Sequence, residues 1–236
     1  MRLFGFHQRQ WAMIFLRSRV VTPKPRWCWQ PAKIAPYESA WCLVHKFCAW
    51  NSASKRDLWT VIGKTSDDGP ALSTLMTHPQ SLLTSDWIST ERFAGIFGSD
   101  AAKRAFVSYY MERYEGKSRH VNCAHTVRFC ERCILVGYHS PLFQLLSVQN
   151  CPLHGIPLKN RCDGCDSLVP YCVPTNRSAP PFSCRCGSML YDPIGPHPGE
   201  TLPAFDHVQR TIELAIAVHA HGPARHNLCC AIKTRS

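Results

Sequence analysis

Apolar side chains recur at helical spacing in the first half of the chain. An amphipathic helix is predicted over 37–50 on this basis. Its apolar face carries Trp41, Val44, Phe47 and Cys48. A second helix is predicted to begin after Ser54, whose hydroxyl suits the N-cap position, and to end at Gly63. Its inward-facing residues are Leu58, Trp59 and Ile62.

Further short helices are predicted before residue 115. They cover 72–76, 82–88, 91–97 and 101–114. The helix at 91–97 has Thr90 as its cap and Gly98 as its stop. The Asp-Asp-Gly-Pro sequence within 65–71 predicts a loop. The helix at 101–114 presents an apolar side made of Ala105, Phe106, Tyr109 and Tyr110.

The pattern changes after residue 120. Cys, Pro and Gly become frequent, and the only helix expected before residue 191 covers 142–149. A Pro- and Gly-rich linker follows. A final helix is then predicted with Phe205, Val208, Ile212 and Ile216 on one face. A segment so rich in turns buries little apolar surface, and it needs another source of stability such as bound metal.

Eight Cys and His residues in this segment can supply that stability. They are Cys130, Cys133, Cys151, His154, Cys162, Cys165, Cys184 and Cys186. They form close pairs, and gaps of 17 and 18 residues separate the two pairs of each half. Thiolates and imidazole at such spacing are the ligands of closed tetrahedral Zn²⁺ sites. We therefore predict a double zinc-finger module that holds two structural zinc ions.

The four ligand pairs can be combined in two ways. Consecutive pairing, which we favour, gives a site of three Cys and one His followed by a site of four Cys. Interleaved pairing gives a cross-brace, as in ubiquitin-ligase RING domains. Substitute ligands are also available in Cys123, His125, His139 and Cys172, although a structural or solvent-facing role is the simpler interpretation for each.

Two other uses of the cysteines are disfavoured. Disulfides belong to secreted proteins, and the apolar run from Trp11 to Leu16 is too short for a secretory signal. A catalytic zinc keeps an open position beside an acid–base group, yet Glu131 is the only Glu in 122–190. We therefore predict that the protein is not an enzyme, and no apolar run is long enough to span a membrane.

The net charge of +11 is unevenly distributed. Residues 1–36 contain seven Lys and Arg residues and no Asp or Glu. They show no helical or strand period, so a basic, disordered N-terminal extension is predicted. Residues 122–190 carry six basic and three acidic side chains, a balance that seven thiolates and two Zn²⁺ bring to about zero. The folded part is nearly neutral, and the basic pI alone does not indicate nucleic-acid binding.

The predicted fold class is a small α-rich N-terminal helical domain, followed by a loop-rich double zinc-finger module and a C-terminal helix. The corresponding segments are 1–36 for the extension, 37–120 for the helical domain, 121–191 for the zinc module, and 192–236 for the linker and last helix.

Several short segments carry a resemblance to a known family. They are FCERC at 129–133, GYHS at 137–140, LFQL at 142–145, CPLHG at 151–155, Leu158, CDGC at 162–165, and ESAW at 38–41. In these segments the chain resembles the TniQ family of transposon target-site selection proteins. The resemblance extends over roughly 35–190, is specific over 129–165 and is weak over 52–120.

The resemblance implies a helical part followed by two zinc fingers, with the metal ligands at the eight Cys and His residues named above. It also implies a non-enzymatic adaptor in DNA transposition. Such an adaptor recognises target DNA or a target-bound complex and recruits an AAA+ transposition regulator. A bacterial cytoplasmic, nucleoid-associated location follows from this interpretation, and a homodimer is a further expectation.

Basic side chains in or beside the predicted fingers are the candidate nucleic-acid contacts. They are Arg128, Arg132, Lys159, Arg161 and Arg185. Phosphate contacts from such residues make binding salt-dependent, but solvated surface charge explains them equally well. Tyr138 and His139 are interpreted as core residues rather than as base-stacking groups. Two other functions stay open, a zinc-finger DNA-binding regulator and a protein-interaction module, each unrelated to transposition.

Overall fold

The computed structural model describes residues 27–31, 34–64, 81–114, 123–173, 181–190 and 204–220. The α-helices of these parts are Ala40–Asn51 (α1), Lys55–Ile62 (α2), Thr90–Phe97 (α3), Ser99–Arg104 (α4), Val107–Tyr114 (α5), Glu131–Leu135 (α6) and Phe205–Ala220 (α7). A 3₁₀ helix covers Pro141–Gln144. The described residues contain no β-sheet, and their strand-like pairing is limited to isolated antiparallel bridges. The prediction of a helix-rich chain with a loop-rich Cys segment is confirmed.

Helix α1 lies at the centre of the fold. Ser39 caps its N-terminus by accepting a hydrogen bond from the N–H of Cys42 (3.1 Å). Eight of the twelve residues of α1 are buried, so this helix is enclosed on nearly all sides, where the sequence predicted an amphipathic one. The difference arises because α1 packs between the other helices and the metal-binding segment.

Helices α2 and α3 end before the predicted glycines, and α2 also begins at its predicted cap. Ser54 caps α2 with a complete capping box, and Gly63 follows its last residue. In α3 the capping hydroxyl comes from Ser89 instead of Thr90, so the helix begins one residue earlier than predicted. Gly98 ends α3 with a φ of 90°, a backbone conformation that suits glycine.

Two predicted helices are wrong. Residues 82–88 contain bends and a turn, and Ile88 pairs with Gly63 in an isolated bridge. The segment 142–149 is helical only in its first residues, as part of the 3₁₀ helix, and Leu145 then pairs with Cys123 in an isolated bridge. The backbone of Leu145 is therefore used for tertiary pairing and does not continue a helix.

The helix predicted over 101–114 is interrupted. It divides into α4 and α5, and the carbonyl of Ala105 at the break accepts a hydrogen bond from the N–H of Ala40 (2.8 Å). This contact satisfies one of the N–H groups that a helix start leaves without an internal partner. The predictions for 65–71 and 72–76 lie outside the described residues.

Both halves of the described chain contribute to one hydrophobic core. Trp41 of α1 lies against three rings of the metal-binding segment. The ring centroids are 5.2 Å away for His139, 6.3 Å for Tyr171 and 5.2 Å for Phe182. The division into domains at residue 120 stays a prediction, and the packing shows that side chains from both sides of it interdigitate.

Residues before α1 also pack on the core. The ring centroid of Trp27 lies 5.3 Å from that of Phe47, and Trp29 meets Phe97 edge-on at 5.0 Å. The prediction of a disordered extension is wrong for these tryptophans, because their rings bury apolar surface against α1 and α3. Residues 1–26 lie outside the described part of the chain.

Helix α7 matches the predicted C-terminal helix. Val208 and Ile212 are buried, and Ile216 packs against the core from a partly exposed position. The hydroxyl of Tyr37 donates a hydrogen bond to Glu213 (3.0 Å), which ties α7 to the start of the fold. Among the described residues, none of the helices combines the length and apolar content that a membrane crossing requires.

Candidate metal centres

The eight predicted ligand residues come together as two groups of four. Within each group, the candidate ligand atoms all lie within 4.8 Å of one another. The first centre consists of Cys130, Cys133, Cys151 and His154. The second centre consists of Cys162, Cys165, Cys184 and Cys186. The structure thus combines the pairs consecutively and does not form the interleaved cross-brace.

A short helix positions the first pair of ligands. Cys130 is the N-cap residue of α6, and its carbonyl accepts a hydrogen bond from the N–H of Ile134 (2.9 Å). The carbonyl of Cys133 accepts from the N–H of Tyr138 (2.8 Å), beyond the end of α6. Both cysteines are fully buried, so this pair is held by the core as well as by the helix.

The other three ligand pairs lie in tight turns with related hydrogen bonds, which close over four residues in the first two turns and over three in the third. In each turn, the backbone N–H of the first ligand residue donates to a carbonyl beyond the turn. The carbonyl of that same residue accepts a hydrogen bond from the backbone N–H of the residue after the second ligand. The bonds from the N–H of the first ligand residue run from Cys151 to the carbonyl of Ile156 (2.8 Å), from Cys162 to that of Ser167 (3.0 Å) and from Cys184 to that of Ser188 (2.9 Å). The bonds to the carbonyl of the first ligand residue come from the N–H of Gly155 to Cys151 (2.8 Å), of Asp166 to Cys162 (2.8 Å) and of Gly187 to Cys184 (2.9 Å).

The residue after the second ligand has a positive φ in all three turns. The angles are 67° at Gly155, 57° at Asp166 and 88° at Gly187. Sequence reasoning missed this role, although a glycine directly after the ligands His154 and Cys186 was a usable signal. Asp is among the residue types that tolerate this conformation, which explains the third turn.

The distances between ligand atoms fit tetrahedral coordination. In the first centre, Nδ1 of His154 lies 3.3 Å from the sulfurs of Cys130 and Cys133 and 3.6 Å from that of Cys151. In the second centre, sulfur atoms are separated by 3.7 Å for Cys162 and Cys186 and by 3.6 Å for Cys165 and Cys184. A tetrahedron with metal–sulfur bonds of ~2.3 Å has sulfur–sulfur edges of ~3.8 Å. Each group can therefore hold one metal ion, and the donor set is consistent with zinc.

Contact between the thiols of the first centre shifts their pKa values in opposite directions. Hydrogen bonds from Cys133 and Cys151 lower the pKa of Cys130. The hydrogen bonds with Cys130 raise the pKa of Cys133 and that of Cys151. A divalent metal ion bound among the three sulfurs would favour their thiolate forms and release the thiol protons.

The second centre lies nearer to solvent. Cys165 and Cys186 are exposed, whereas Cys162 and Cys184 are buried. The hydroxyl and N–H of Ser167 lower the pKa of Cys165 to about 6. This centre therefore presents an ionisable thiol at the surface.

Tyr138 and His139 lie in the core beneath the first centre. Nε2–H of His139 donates to the carbonyl of Arg128 (2.9 Å), and Nδ1 accepts from the hydroxyl of Ser39 (2.8 Å). Burial lowers the pKa of His139 to about 3, so its ring is neutral. The hydroxyl of Tyr138 donates to the carbonyl of Pro36 (3.1 Å). Both residues hold the metal-binding segment onto the N-terminal end of α1.

Arg128 requires a correction. It is 7% exposed, and its guanidinium donates to the carbonyls of Leu145 (2.7 Å) and Val148 (2.8 Å). Both terminal nitrogens of this guanidinium donate to buried carbonyls, so the group is not available to bind a phosphate. The expectation that Arg128 contacts nucleic acid is therefore wrong, and its role is to brace the loop after the 3₁₀ helix.

The other four candidate contacts are exposed. Lys159 forms ion pairs with Glu131 (2.8 Å) and Asp163 (3.4 Å). Arg161 pairs with Asp166 (3.0 Å). Arg132 and Arg185 lie in the first and second ligand segments. The substitute ligands Cys123, His125, His139 and Cys172 belong to neither group.

Comparison with known proteins gives no assignment. No protein-family model matches the chain, and no curated protein matches it. Conclusions about function rest on the two centres, on the core that holds them and on the sequence resemblance.

Proposed function

We propose that each centre binds one zinc ion and that the protein is a non-enzymatic adaptor for target-site selection in DNA transposition. In this role it links target DNA, or a complex already bound to the target, to an AAA+ transposition regulator. The observation that carries the proposal is the pair of closed four-ligand centres, which lie within the segment of roughly 35–190 that resembles the TniQ family.

Zinc is the metal that the ligand chemistry favours. Three thiols with one imidazole, and four thiols, are soft or borderline donors in sets of four. Four protein ligands complete a tetrahedron and leave no position for a substrate or water. The metal ions would therefore stabilise the fold, and catalysis is not assigned to them.

The surroundings of the basic residues favour docking on a protein or complex over direct reading of DNA bases. Arg128 is buried, and the charges of Lys159 and Arg161 are partly neutralised by neighbouring carboxylates. Arg132 and Arg185 are the remaining candidates for phosphate contacts. Two such contacts support weak, salt-dependent association and do not specify a sequence.

A groove between the two centres is the candidate docking face. Its volume is about 410 Å³, and Leu135 and Met189 lie along it with exposures of 51% and 41%. Lys159 crosses it between Glu131 and Asp163. Exposed apolar side chains beside fixed charges are typical of protein interfaces, and the nearby metal ions would keep this face rigid.

Co-purification of the full chain with an AAA+ transposition regulator from the same organism tests the proposal. We expect the ATPase to be retained, and the variants Leu135→Asp and Met189→Asp to lose it. Leu146→Asp is the matched control, because Leu146 is also exposed (43%) but lies outside the groove. Sequence-specific DNA binding in a gel shift that persists at high salt, without ATPase binding, would instead favour a DNA-binding regulator.

A further inference from the structure

The two centres differ in the access of solvent to their sulfur atoms. In the first centre, the three cysteines are at most 1% exposed. In the second centre, Cys165 and Cys186 are exposed. A dissolved oxidant reacts with a thiolate only when it can approach the sulfur, so the second centre is the accessible one.

The centres also differ in how their sulfurs can pair. The second centre contains four thiols, and each has a neighbour close enough to form a disulfide with it, for example Cys186 for Cys162 (3.7 Å) and Cys184 for Cys165 (3.6 Å). Two disulfides would consume all four ligands and leave none for the metal. The first centre has three thiols and one imidazole, so one disulfide there leaves an unpaired cysteine.

The exposure of neighbouring apolar side chains also differs between the two centres. Beside the second centre, Leu168 is 47% exposed and Met189 is 41% exposed. Beside the first centre, Ile134 and Tyr138 are 3% and 1% exposed. The exposed turns that carry Cys165 and Cys186 can open at low free-energy cost, whereas Cys130 and Cys133 are fixed in the core.

We propose that the second centre is a reversible oxidation site. A hydroperoxide converts its four thiolates into two disulfides and releases its metal ion, while the first centre keeps its own. This inference rests on the proposed binding of zinc at both centres. It assigns different roles to them, a permanent structural one to the first and a redox-sensitive one to the second.

The reaction balances with peroxide as the oxidant. The thiolate of Cys165 attacks one peroxide oxygen, the O–O bond breaks, and a sulfenic acid and hydroxide form. The thiolate of Cys184 then attacks the sulfenic sulfur and displaces a second hydroxide, which gives the disulfide. A second peroxide oxidises Cys162 and Cys186 in the same way. Four thiolates that hold one Zn²⁺, together with two hydrogen peroxide molecules, thus yield two disulfides, four hydroxide ions and one free Zn²⁺.

Titration of the zinc-loaded full chain with hydrogen peroxide tests the proposal. Released zinc is measured with a chromophoric chelator, and disulfides are mapped by non-reducing peptide mass spectrometry. Trypsin cleaves after Arg161, Arg177 and Arg185, so Cys184 and Cys186 fall on separate peptides. The variant Cys28→Ser serves as the background, because it removes an exposed thiol that belongs to neither centre.

We expect one zinc equivalent to leave first, together with four thiols, and the disulfides to link only peptides of the second centre. Reduction with dithiothreitol and added zinc should restore both equivalents. Simultaneous loss of both equivalents, oxidation of Cys130, Cys133 or Cys151 during the first release, or retention of both ions under peroxide would each overturn the inference. A starting protein that lacks two zinc ions would contradict the proposed function itself and remove the basis of the inference.

Discussion

The hydroxyl of Ser39 and Nδ1 of His139 lie 2.8 Å apart although 100 positions separate them in the sequence. The oxygen of Ser39 also accepts the capping bond from the N–H of Cys42 (3.1 Å). In addition, the N–H of Ser39 donates to the carbonyl of His139 (2.7 Å). One serine thus starts the central helix and fastens the metal-binding segment to it, so stability of the two halves is coupled at this point.

The variant Ser39→Ala tests this coupling. Loss of the cap costs about 1 kcal/mol, and a buried acceptor on His139 without its donor costs about 1–3 kcal/mol more. Ser54→Ala is the matched control, because Ser54 caps α2 at the surface and its hydroxyl donates only to Asp57 of the same capping box. In urea denaturation, Ser39→Ala should lower the free energy of unfolding by at least twice as much as the control. Equal losses would mean that the contact with His139 adds nothing.

Acid should destabilise the protein through its buried histidines. Burial lowers the pKa of His45 to about 4 and that of His139 to about 3, while an unfolded histidine titrates near 6.5. The folded state therefore binds fewer protons than the unfolded state below pH ~6.5. The stabilisation is complete above that pH and is lost as pH falls from ~6.5 towards about 4 for His45 and about 3 for His139.

The variant His45→Asn separates the two contributions. Nδ1 of His45 accepts the N–H of Phe182 (2.8 Å), and an asparagine oxygen can replace that acceptor without titrating. The slope of unfolding free energy against pH, measured between pH ~6 and ~5, should be smaller than the wild-type slope by the contribution of about one proton, ~1 kcal/mol per pH unit. Samples must keep both zinc ions over this range. An unchanged slope would show that His45 does not titrate on unfolding.

Local sequence signals predicted the parts of the fold that local chemistry determines. The cap at Ser54 and the stop at Gly63 bound α2 as expected, because a hydroxyl acceptor and a glycine act within one helical turn. The ligand pairs could also be identified from the sequence, because metal coordination requires particular residue types at short spacing. Their consecutive combination needed the three-dimensional arrangement, since spacing alone allowed two pairings.

Tertiary hydrogen bonds explain what sequence reasoning missed. The break between α4 and α5 uses the carbonyl of Ala105 for the start of α1, and the helix expected at 142–149 ends where Leu145 pairs with Cys123. Arginine is rarely buried, so nothing local marked Arg128 as a core residue. Partners 17 or more positions away determine each of these features.

Substitution of Arg128 should affect stability, and substitution of Arg132 should not. Arg128→Ala leaves the carbonyls of Leu145 and Val148 buried without their charged donor, which should cost about 3 kcal/mol. Arg132 is exposed, and Arg132→Ala should change the free energy of unfolding by less than about 0.5 kcal/mol. Chemical denaturation of both variants measures this difference. A fully stable Arg128→Ala protein with weakened DNA binding would restore Arg128 as a nucleic-acid contact.

Loss of a ligand should be more damaging at the first centre than at the second. Cys151→Ser should bind one zinc ion fewer by elemental analysis and should lose much of the folding free energy that structural zinc supplies, on the order of 10 kcal/mol. The loss reaches the whole protein because the sulfur of Cys133, 3.6 Å from that of Cys151, is anchored in the shared core. Cys186→Ser should also lose one ion but keep a cooperative thermal transition, since Cys186 lies at the surface. Cys28→Ser should retain both ions, and two zinc equivalents in Cys151→Ser would refute the ligand assignment.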